Sequence, residues 1–289
     1  MTQAATLSVG RMTCDSLSVV PKSRTLRRSV IVQVLFSTLV EVTVNEAARP
    51  PRLTIAVRRL TDLPGSRLAA VRIAMSCVAF GVLTVLCWHR IGPITLDRRL
   101  LHGYVPSPSS AWFRAANAIT EAGSPVIVTV AGLATATALW QRHRSLPWAV
   151  ACVAAPGIAG AIEATMKFIV ERHRPVTAFL AGEAGNGFPS GHAAGFSALA
   201  IVAALGQARL SRRNHRMLVT VAVLASLTIA NTRVVVGAHY PTDVLAGLLL
   251  GFGVADACAY LATNLNHLAT VDRVAHEKPS EDRDLLPLP

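Results

Sequence analysis

The chain has 289 residues, of which 52% are hydrophobic, 15% charged and 5% aromatic, and its mean hydropathy is +0.45. A soluble domain carries about 25% charged residues, so this composition excludes an ordinary soluble globule and, over most of the length, a disordered chain. The net charge of +12 does not indicate nucleic-acid binding, because the basic residues lie in the N-terminal segment and between apolar runs. The sequence predicts an integral membrane protein.

The N-terminal segment, 1–67, is basic and contains one short apolar run at 30–44. A membrane-spanning helix needs about 20 apolar residues, and this run is shorter and interrupted by Gln33 and Glu41. An interfacial segment and a wrongly assigned start codon both stay open, and no function is assigned to this part of the chain.

Six apolar runs follow, and the sequence predicts that each crosses the membrane as a helix. They lie at 68–88, 125–140, 147–170, 192–206, 217–237 and 242–261. We therefore expect an all-α, polytopic membrane protein whose six-helix bundle forms one domain over 68–262. The remaining segment, 263–289, is predicted to be an acidic cytoplasmic tail.

The arginine-rich segments predict the orientation of this bundle. Cytoplasmic loops are enriched in Lys and Arg, and the N-terminal segment, 141–144 and 207–216 all fall on one side if the first span runs outward. Both termini are then cytoplasmic. The polar gaps at 89–124, 171–191 and 237–241 face the outside of the cell.

Three polar clusters lie at the predicted outer ends of the spans. The first runs from Lys167 to Arg174-Pro175, the second is Pro189-Ser190-Gly191-His192, and the third runs from Thr232-Arg233 through His239 to Asp243. The topology that brings them to one face was derived from hydropathy and charge alone, so their convergence is independent support for a site.

The residue types in these clusters suit a phosphate group. Three cations at one level, Lys167, Arg174 and Arg233, repel one another unless an anion binds between them, and the planar fork of arginine fits phosphate oxygens. The turn at Ser190-Gly191 precedes a helix whose first N–H groups are free to bind an anion.

The two histidines can then divide the chemistry. One attacks phosphorus and the other protonates the departing oxygen. Asp243 lies one helical turn after His239 and can fix the tautomer of its ring.

These clusters resemble the signature of the type-2 phosphatidic acid phosphatase family, the superfamily of lipid phosphate phosphatases and vanadium haloperoxidases. Its pattern is Lys, six residues, Arg-Pro; then Pro-Ser-Gly-His; then Ser-Arg, five residues, His, three residues, Asp. The chain departs from it only at Thr232, where the family usually has Ser. The likeness extends over about 68–262, with the tight matches confined to 167–243.

The resemblance implies a role for each matching residue. His239 would be the nucleophile that forms a phosphohistidine, oriented by Asp243, and His192 would protonate the leaving group and then activate water. The phosphate-binding residues would be Lys167, Arg174, Ser190, Gly191 and Arg233. Such enzymes need no metal or other cofactor, because the fixed cations stabilise the charge.

We therefore expect a membrane phosphatase that acts on a lipid phosphate or diphosphate held in the bilayer, at the external membrane face. Phosphatidic acid-like and polyprenyl diphosphate substrates fit the same cradle. A non-catalytic lipid-phosphate binding or transport protein of the same fold is the main alternative, and a haloperoxidase is a weaker one because those proteins are soluble. The sequence does not predict an oligomeric state.

Four further features have modest interpretations. Glu163, one turn before Lys167, is expected to form a supporting ion pair. Arg172 and His173 are interpreted as solvated loop residues rather than headgroup contacts, and His102 in the outer loop is left unassigned. The glycines at 247 and 251 favour packing within the bundle over a dimer contact.

Overall fold

The computed structural model describes residues 66–90, 93–211 and 214–277. Residues 1–65 of the N-terminal segment, including the apolar run at 30–44 and the interpretations placed on it, lie outside these residues. The described residues form eight α-helices, which we number in chain order. They are α1 Ser66–Trp88, α2 Pro93–His102, α3 Ala111–Thr120, α4 Pro125–His143, α5 Leu146–Val170, α6 Gly191–Ser211, α7 His215–Val235 and α8 Pro241–Glu277.

Side-chain caps fix where several helices begin. The hydroxyls of Ser110 and Ser124 accept the backbone N–H of Phe113 and Ile127, at 3.1 and 3.4 Å. Pro125 occupies the first turn of α4, where its missing N–H has no intrahelical partner to lose. These local signals set the start of α3 and α4 independently of the membrane.

Five helices in the described part of the chain are long and apolar enough to cross a membrane: α1, α5, α6, α7 and the Pro241–Ala269 part of α8. The sixth candidate is a bent pair, Ala111–Gly123 followed by Pro125–His143, with 49° between its halves. The predicted polar loop at 89–124 therefore differs from what is found, because much of it folds into α2 and α3. Their apolar residues pack at the end of the bundle.

Helix α6 is the centre of the bundle and packs against α4, α5, α7 and α8. Its buried face is built from small residues, among them Ala194 and Ala198, which are fully buried. Many large apolar side chains instead point outward, for example Val126, Val78 and Leu224. Small residues inside and large ones outside are typical of helices that pack in lipid.

The contact between α6 and α8 is especially close. A Cβ at Gly247 would lie 2.5 Å from the carbonyl oxygen of Ser190, and one at Gly251 would lie 2.5 Å from that of Ala194. Neither position tolerates a side chain without moving a helix backbone. The two glycines therefore pack within the bundle, as the sequence favours.

Helix α8 is longer than predicted. It continues without a break from Pro241 to Glu277, so the boundary placed between 262 and 263 falls inside a helix. Only the last residues of the predicted tail, from 278 onward, lie outside the described part of the chain.

Candidate active site

His239 lies on the tight turn between α7 and α8. The backbone N–H groups of Ala238 and His239 both donate to the carbonyl oxygen of Arg233, at 3.0 and 3.2 Å. Gly237 makes this turn with a φ of +71°, and a Cβ there would lie 2.6 Å from the hydroxyl oxygen of Thr177. Glycine is the residue that meets both demands, and the turn holds the His239 side chain almost fully buried.

Two neighbours define the state of the His239 ring. Its Nε2 lies 2.9 Å from Nη1 of Arg174, and a guanidinium only donates, so Nε2 accepts and the proton is on Nδ1. That Nδ1 lies 3.6 Å from Oδ2 of Asp243, beside the predicted orienting carboxylate but beyond hydrogen-bond distance. Burial, Arg174 and Arg233 lower the pKa of His239 well below its ordinary value, so the ring is neutral at pH 7.

Asp243 is fully buried in the first turn of α8, and three hydrogen bonds hold it, two to its carboxylate and one to its backbone oxygen. Oδ2 accepts the backbone N–H of Tyr240 at 3.0 Å, and Oδ1 accepts from Nη1 of Arg172 at 2.6 Å. Its backbone oxygen accepts the N–H of Ser190 at 3.0 Å. The Asp243 carboxylate is therefore fixed beside His239 before any substrate arrives.

Arg172 differs from its predicted role, because it is buried rather than solvated. Its Nη2 lies 2.6 Å from Oδ2 of Asp97 on α2, and its guanidinium stacks over the ring of Tyr240 at 4.6 Å. Burial works against its charge, but Asp243 and Asp97 outweigh it and raise the pKa of Arg172. We call Arg172, Asp97 and Asp243 the inner cluster.

A second group of charges lies on the other side of His239. The guanidinium groups of Arg174 and Arg233 both pair with the carboxylate of Glu183, and the Arg174 Nη2 to Oε2 distance is 3.0 Å. Burial raises the pKa of Glu183, but the two arginines outweigh it, so this pKa lies below its usual range. We call Arg174, Arg233 and Glu183 the outer cluster.

The predicted phosphate-binding turn lies at the start of α6. Ser190 is fully buried, and its hydroxyl has no hydrogen-bond partner among the described residues. Gly191 packs against Glu163, since a Cβ there would lie 2.8 Å from Oε1. The N-terminal turn of α6 therefore offers a free hydroxyl beside the helix end that attracts anions.

Lys167 lies in the last turn of α5 and forms the expected ion pair with Glu163, one turn earlier. The side chain of Lys167 is about a quarter exposed, whereas the arginines of the outer cluster are nearly buried. Lys167 is therefore the cation that solvent or a ligand reaches most easily.

One cavity of about 640 Å³ joins most of these residues. Five of the predicted residues line it, together with Glu163 and Glu183: Lys167, Arg174, Gly191, His192 and His239. Arg233, Ser190 and Asp243 stand behind this surface, and the exposed His102 is not part of it.

Away from the charged end, the same cavity continues between α4, α5 and α6. Its wall there consists of small or apolar residues, namely Pro125, Val128, Thr129, Gly132, Val153, Pro156, Gly157, Gly160 and Gly195. At Gly157 and Gly160 an added Cβ would meet nothing within 4 Å. The site is therefore polar at one end and apolar along the spans.

Residues 148–267 match the model of the PAP2 superfamily. The fold of the chain is similar to the crystal structure of a transmembrane PAP2-type phosphatidylglycerolphosphate phosphatase from Bacillus subtilis, with a TM-score of 0.61 and 19% identity. That match covers 68% of this chain and 96% of the other, and it confirms the predicted all-α membrane bundle. No curated protein matches the chain.

The motif residues that the sequence singled out thus come together, but two neighbours were not predicted. Asp97 and Glu183 complete the inner and outer clusters, although neither belongs to the motif. The signals for them are weak: Asp97 follows Pro93 in a stretch with alternating polar and apolar residues, and Glu183 is an acid in a glycine-rich loop.

Among the described residues, no three His, Cys, Asp or Glu side chains are grouped so that they could hold a metal ion. The positive charge at this site comes from Lys and Arg. Such groups stabilise phosphate oxygens without a coordination shell.

Proposed function

We propose that this protein is a membrane phosphatase that hydrolyses a lipid phosphate or diphosphate through a phosphohistidine on His239. The observation that carries the proposal is the single cavity lined by His239, His192, Lys167 and Arg174. The match of residues 148–267 to the PAP2 superfamily model supports phosphatase activity, and the similarity to a transmembrane PAP2-type phosphatase supports a substrate in the bilayer.

The reaction begins with the free electron pair of Nε2. In the structure this pair accepts from Arg174, and on binding Arg174 turns its donor to a phosphate oxygen. Nε2 then attacks phosphorus in line with the leaving oxygen, a P–N bond forms, and the P–O bond breaks. Lys167, Arg174 and Arg233 stabilise the charge on the equatorial oxygens.

His192 completes the cycle from the first turn of α6. It gives a proton to the departing oxygen, and then takes one from a water molecule that attacks the phosphohistidine. The P–N bond breaks, orthophosphate leaves, and the His239 ring regains its electron pair. The Asp243 carboxylate stabilises the positive charge that the ring carries in the intermediate.

The apolar part of the cavity supports a lipid substrate rather than a soluble ester. An acyl or prenyl chain packs along the glycine faces of α5 while its phosphate reaches the cations. This arrangement leaves the tail in the bilayer throughout the reaction.

The helix directions support an outward-facing site. The basic residues Arg142, Arg144 and Arg209 lie at the C-terminal ends of α4 and α6, whereas the site lies at the N-terminal end of α6. Since basic loops stay in the cytoplasm, the proposed site faces the outside. A membrane-impermeant maleimide should label a His102→Cys variant in a cysteine-free background in intact cells, and labelling only after lysis would reverse the orientation.

The central experiment replaces His239 with Ala and measures orthophosphate release from phosphatidic acid and a polyprenyl diphosphate. We expect no release above background. His102→Ala is the matched control, because it removes an exposed histidine outside the cavity and should retain full activity. Near wild-type activity in His239→Ala protein that inserts normally would refute the mechanism.

The covalent step has its own readout. Brief incubation with ³²P-labelled substrate should give an acid-labile, base-stable label on the wild type and none on His239→Ala. His192→Ala should hold the label longer, because the water-activating group is missing. Wild-type protein that binds orthovanadate but releases no phosphate from any of these lipids would instead be a binding protein.

A further inference from the structure

Two phosphate-binding arginines converge on one carboxylate of the protein itself. Arg174 pairs through Nη2 with Oε2 of Glu183, and Arg233 pairs through Nη2 with Oε1. Each oxygen of the carboxylate therefore serves a different arginine. A planar anion between two forks is the arrangement that the phosphate of a substrate would need.

Neither arginine depends on Glu183 for its position. Nη1 of Arg174 donates to the carbonyl oxygen of Ala238 at 3.1 Å, and Nη1 of Arg233 donates to the hydroxyl of Thr120 at 3.2 Å. Both acceptors lie on elements other than the loop that carries Glu183. The two guanidinium groups therefore stay in place if the Glu183 carboxylate leaves.

Glu183 also leaves donors unused. Nε of Arg174 and Nε of Arg233 are buried without a hydrogen-bond partner in the described structure, as is the hydroxyl of Ser190. Buried donors without partners cost free energy. A carboxylate has two oxygens, whereas a phosphate group has three or four, so the group that these donors suit carries more oxygens than Glu183 does.

The carboxylate is the exposed member of the outer cluster. The side chain of Glu183 is 25% exposed, against 8% for Arg174 and 3% for Arg233. It lies between Gly182 and Gly185, whose φ values are +67° and +80°, and it lines the cavity. Glu183 is therefore the member that leaves most easily.

We propose, on the basis of the phosphatase function above, that Glu183 is an internal competitor of the substrate phosphate. It neutralises the two arginines while the site is free and swings outward when a phosphate takes its place. The exchange replaces a carboxylate, with one negative charge on two oxygens, by a phosphate group that carries more charge and more oxygens. The two arginines therefore bind the substrate phosphate more tightly than they bind Glu183. After hydrolysis, the Glu183 carboxylate returns to the two arginines and helps to displace orthophosphate.

The test is the affinity of phosphate-like anions in the purified full-length chain. Orthovanadate inhibition and orthophosphate product inhibition are measured for the wild type, Glu183→Gln and Glu183→Asp. In Glu183→Gln the competing charge is gone, and we expect both inhibition constants to fall on the order of tenfold, the factor that corresponds to one charge-assisted contact. KM should fall with them, and kcat should fall as product release slows.

Glu183→Asp keeps the charge but shortens the side chain by one methylene, so it no longer bridges both arginines. Its inhibition constants should lie between those of the other two proteins, and it serves as the deciding variant if Glu183→Gln does not fold. Glu121→Gln is the matched control. It removes one exposed negative charge that acts on Arg233 only through space, and it should leave both constants unchanged.

The outcomes separate this inference from the proposed function. If the wild type releases phosphate and is inhibited by vanadate, while Glu183→Gln and Glu183→Asp bind vanadate no more tightly, the competitor role is wrong and the phosphatase stands. An equal gain in vanadate and orthophosphate affinity in Glu121→Gln would also overturn the competitor role, since loss of any nearby negative charge would then explain the result. A wild-type protein that neither releases phosphate nor binds vanadate would refute both the phosphatase function and the competitor role of Glu183.

Discussion

The two charged clusters beside His239 both combine arginine with carboxylates, but they differ in how completely their charged groups are paired. In the inner cluster, Arg172 meets two buried carboxylates, Asp97 and Asp243, at 2.6 Å each. In the outer cluster, two arginines share the partly exposed Glu183 and keep buried donors unused. A fully paired, buried network stabilises the fold. An incompletely paired network beside a cavity still has donors that can bind an anion.

The largest expected effect comes from breaking the inner cluster. Arg172→Met leaves two buried carboxylates without their cation, and removing one partner of a buried pair costs about 3–5 kcal/mol. We expect a marked fall in the thermal unfolding midpoint in detergent, measured by intrinsic fluorescence. A midpoint within a degree or two of the wild type would show that this cluster does not hold the fold.

The same change in the outer cluster should act on turnover instead. Arg174→Ala or Arg233→Ala removes a donor from the proposed transition state, which costs about 10²–10³-fold in kcat. The unfolding midpoint should change less than in Arg172→Met, because Glu183 reaches solvent when it loses a partner. Loss of stability without loss of kcat would reverse the roles assigned to the two clusters.

A smaller effect is expected in the apolar part of the cavity. Gly160→Leu should lower kcat/KM for a lipid phosphate about tenfold or more, since the side chain fills the space of the tail, and leave a short soluble phosphate ester almost unaffected. Gly81→Leu is the control, because Gly81 on α1 also has nothing within 4 Å of an added Cβ but does not line the cavity. Equal losses on both esters would contradict a tail site.

The smallest expected effect concerns pH. The pKa of His239 lies well below its ordinary value, so the nucleophile stays neutral when the pH falls through about 6.5, where a free histidine takes up a proton. Protonation of His239 should therefore not lower the activity in this range, and kcat/KM at about pH 5.5 should stay close to its value at pH 7. A loss of about tenfold that follows a pKa near 6.5 would show that the ring titrates normally.

The sequence predicted the residues whose spacing reflects the chemistry and missed those whose contacts depend on the tertiary fold. Lys167, Arg174, His192, His239 and Asp243 could be found because each lies at a fixed distance along the chain from another motif residue. Asp97 contacts Arg172 and Thr242, which are 75 and 145 residues away. No local pattern records such a contact.

The mistaken interpretation of Arg172 has the same cause. A basic residue in a loop between spans is usually solvated, and only the approach of α2 and α8 gives it two buried partners. The fold was more predictable, because the length and hydropathy of each span depend on the bilayer rather than on neighbouring helices. The bend between Thr120 and Pro125, and helices α2 and α3 before it, depend on packing and were not predicted.

The glycine contact between α6 and α8 limits how the protein can move. Gly247 lies against the carbonyl oxygen of Ser190, and the Ser190 N–H donates to the carbonyl oxygen of Asp243. The proposed anion-binding turn and the start of α8, beside the proposed nucleophile, are thus held together and cannot separate without breaking this contact. Any movement that admits the proposed lipid substrate must then occur elsewhere, in the loop that carries Glu183 and along the α4–α5 side.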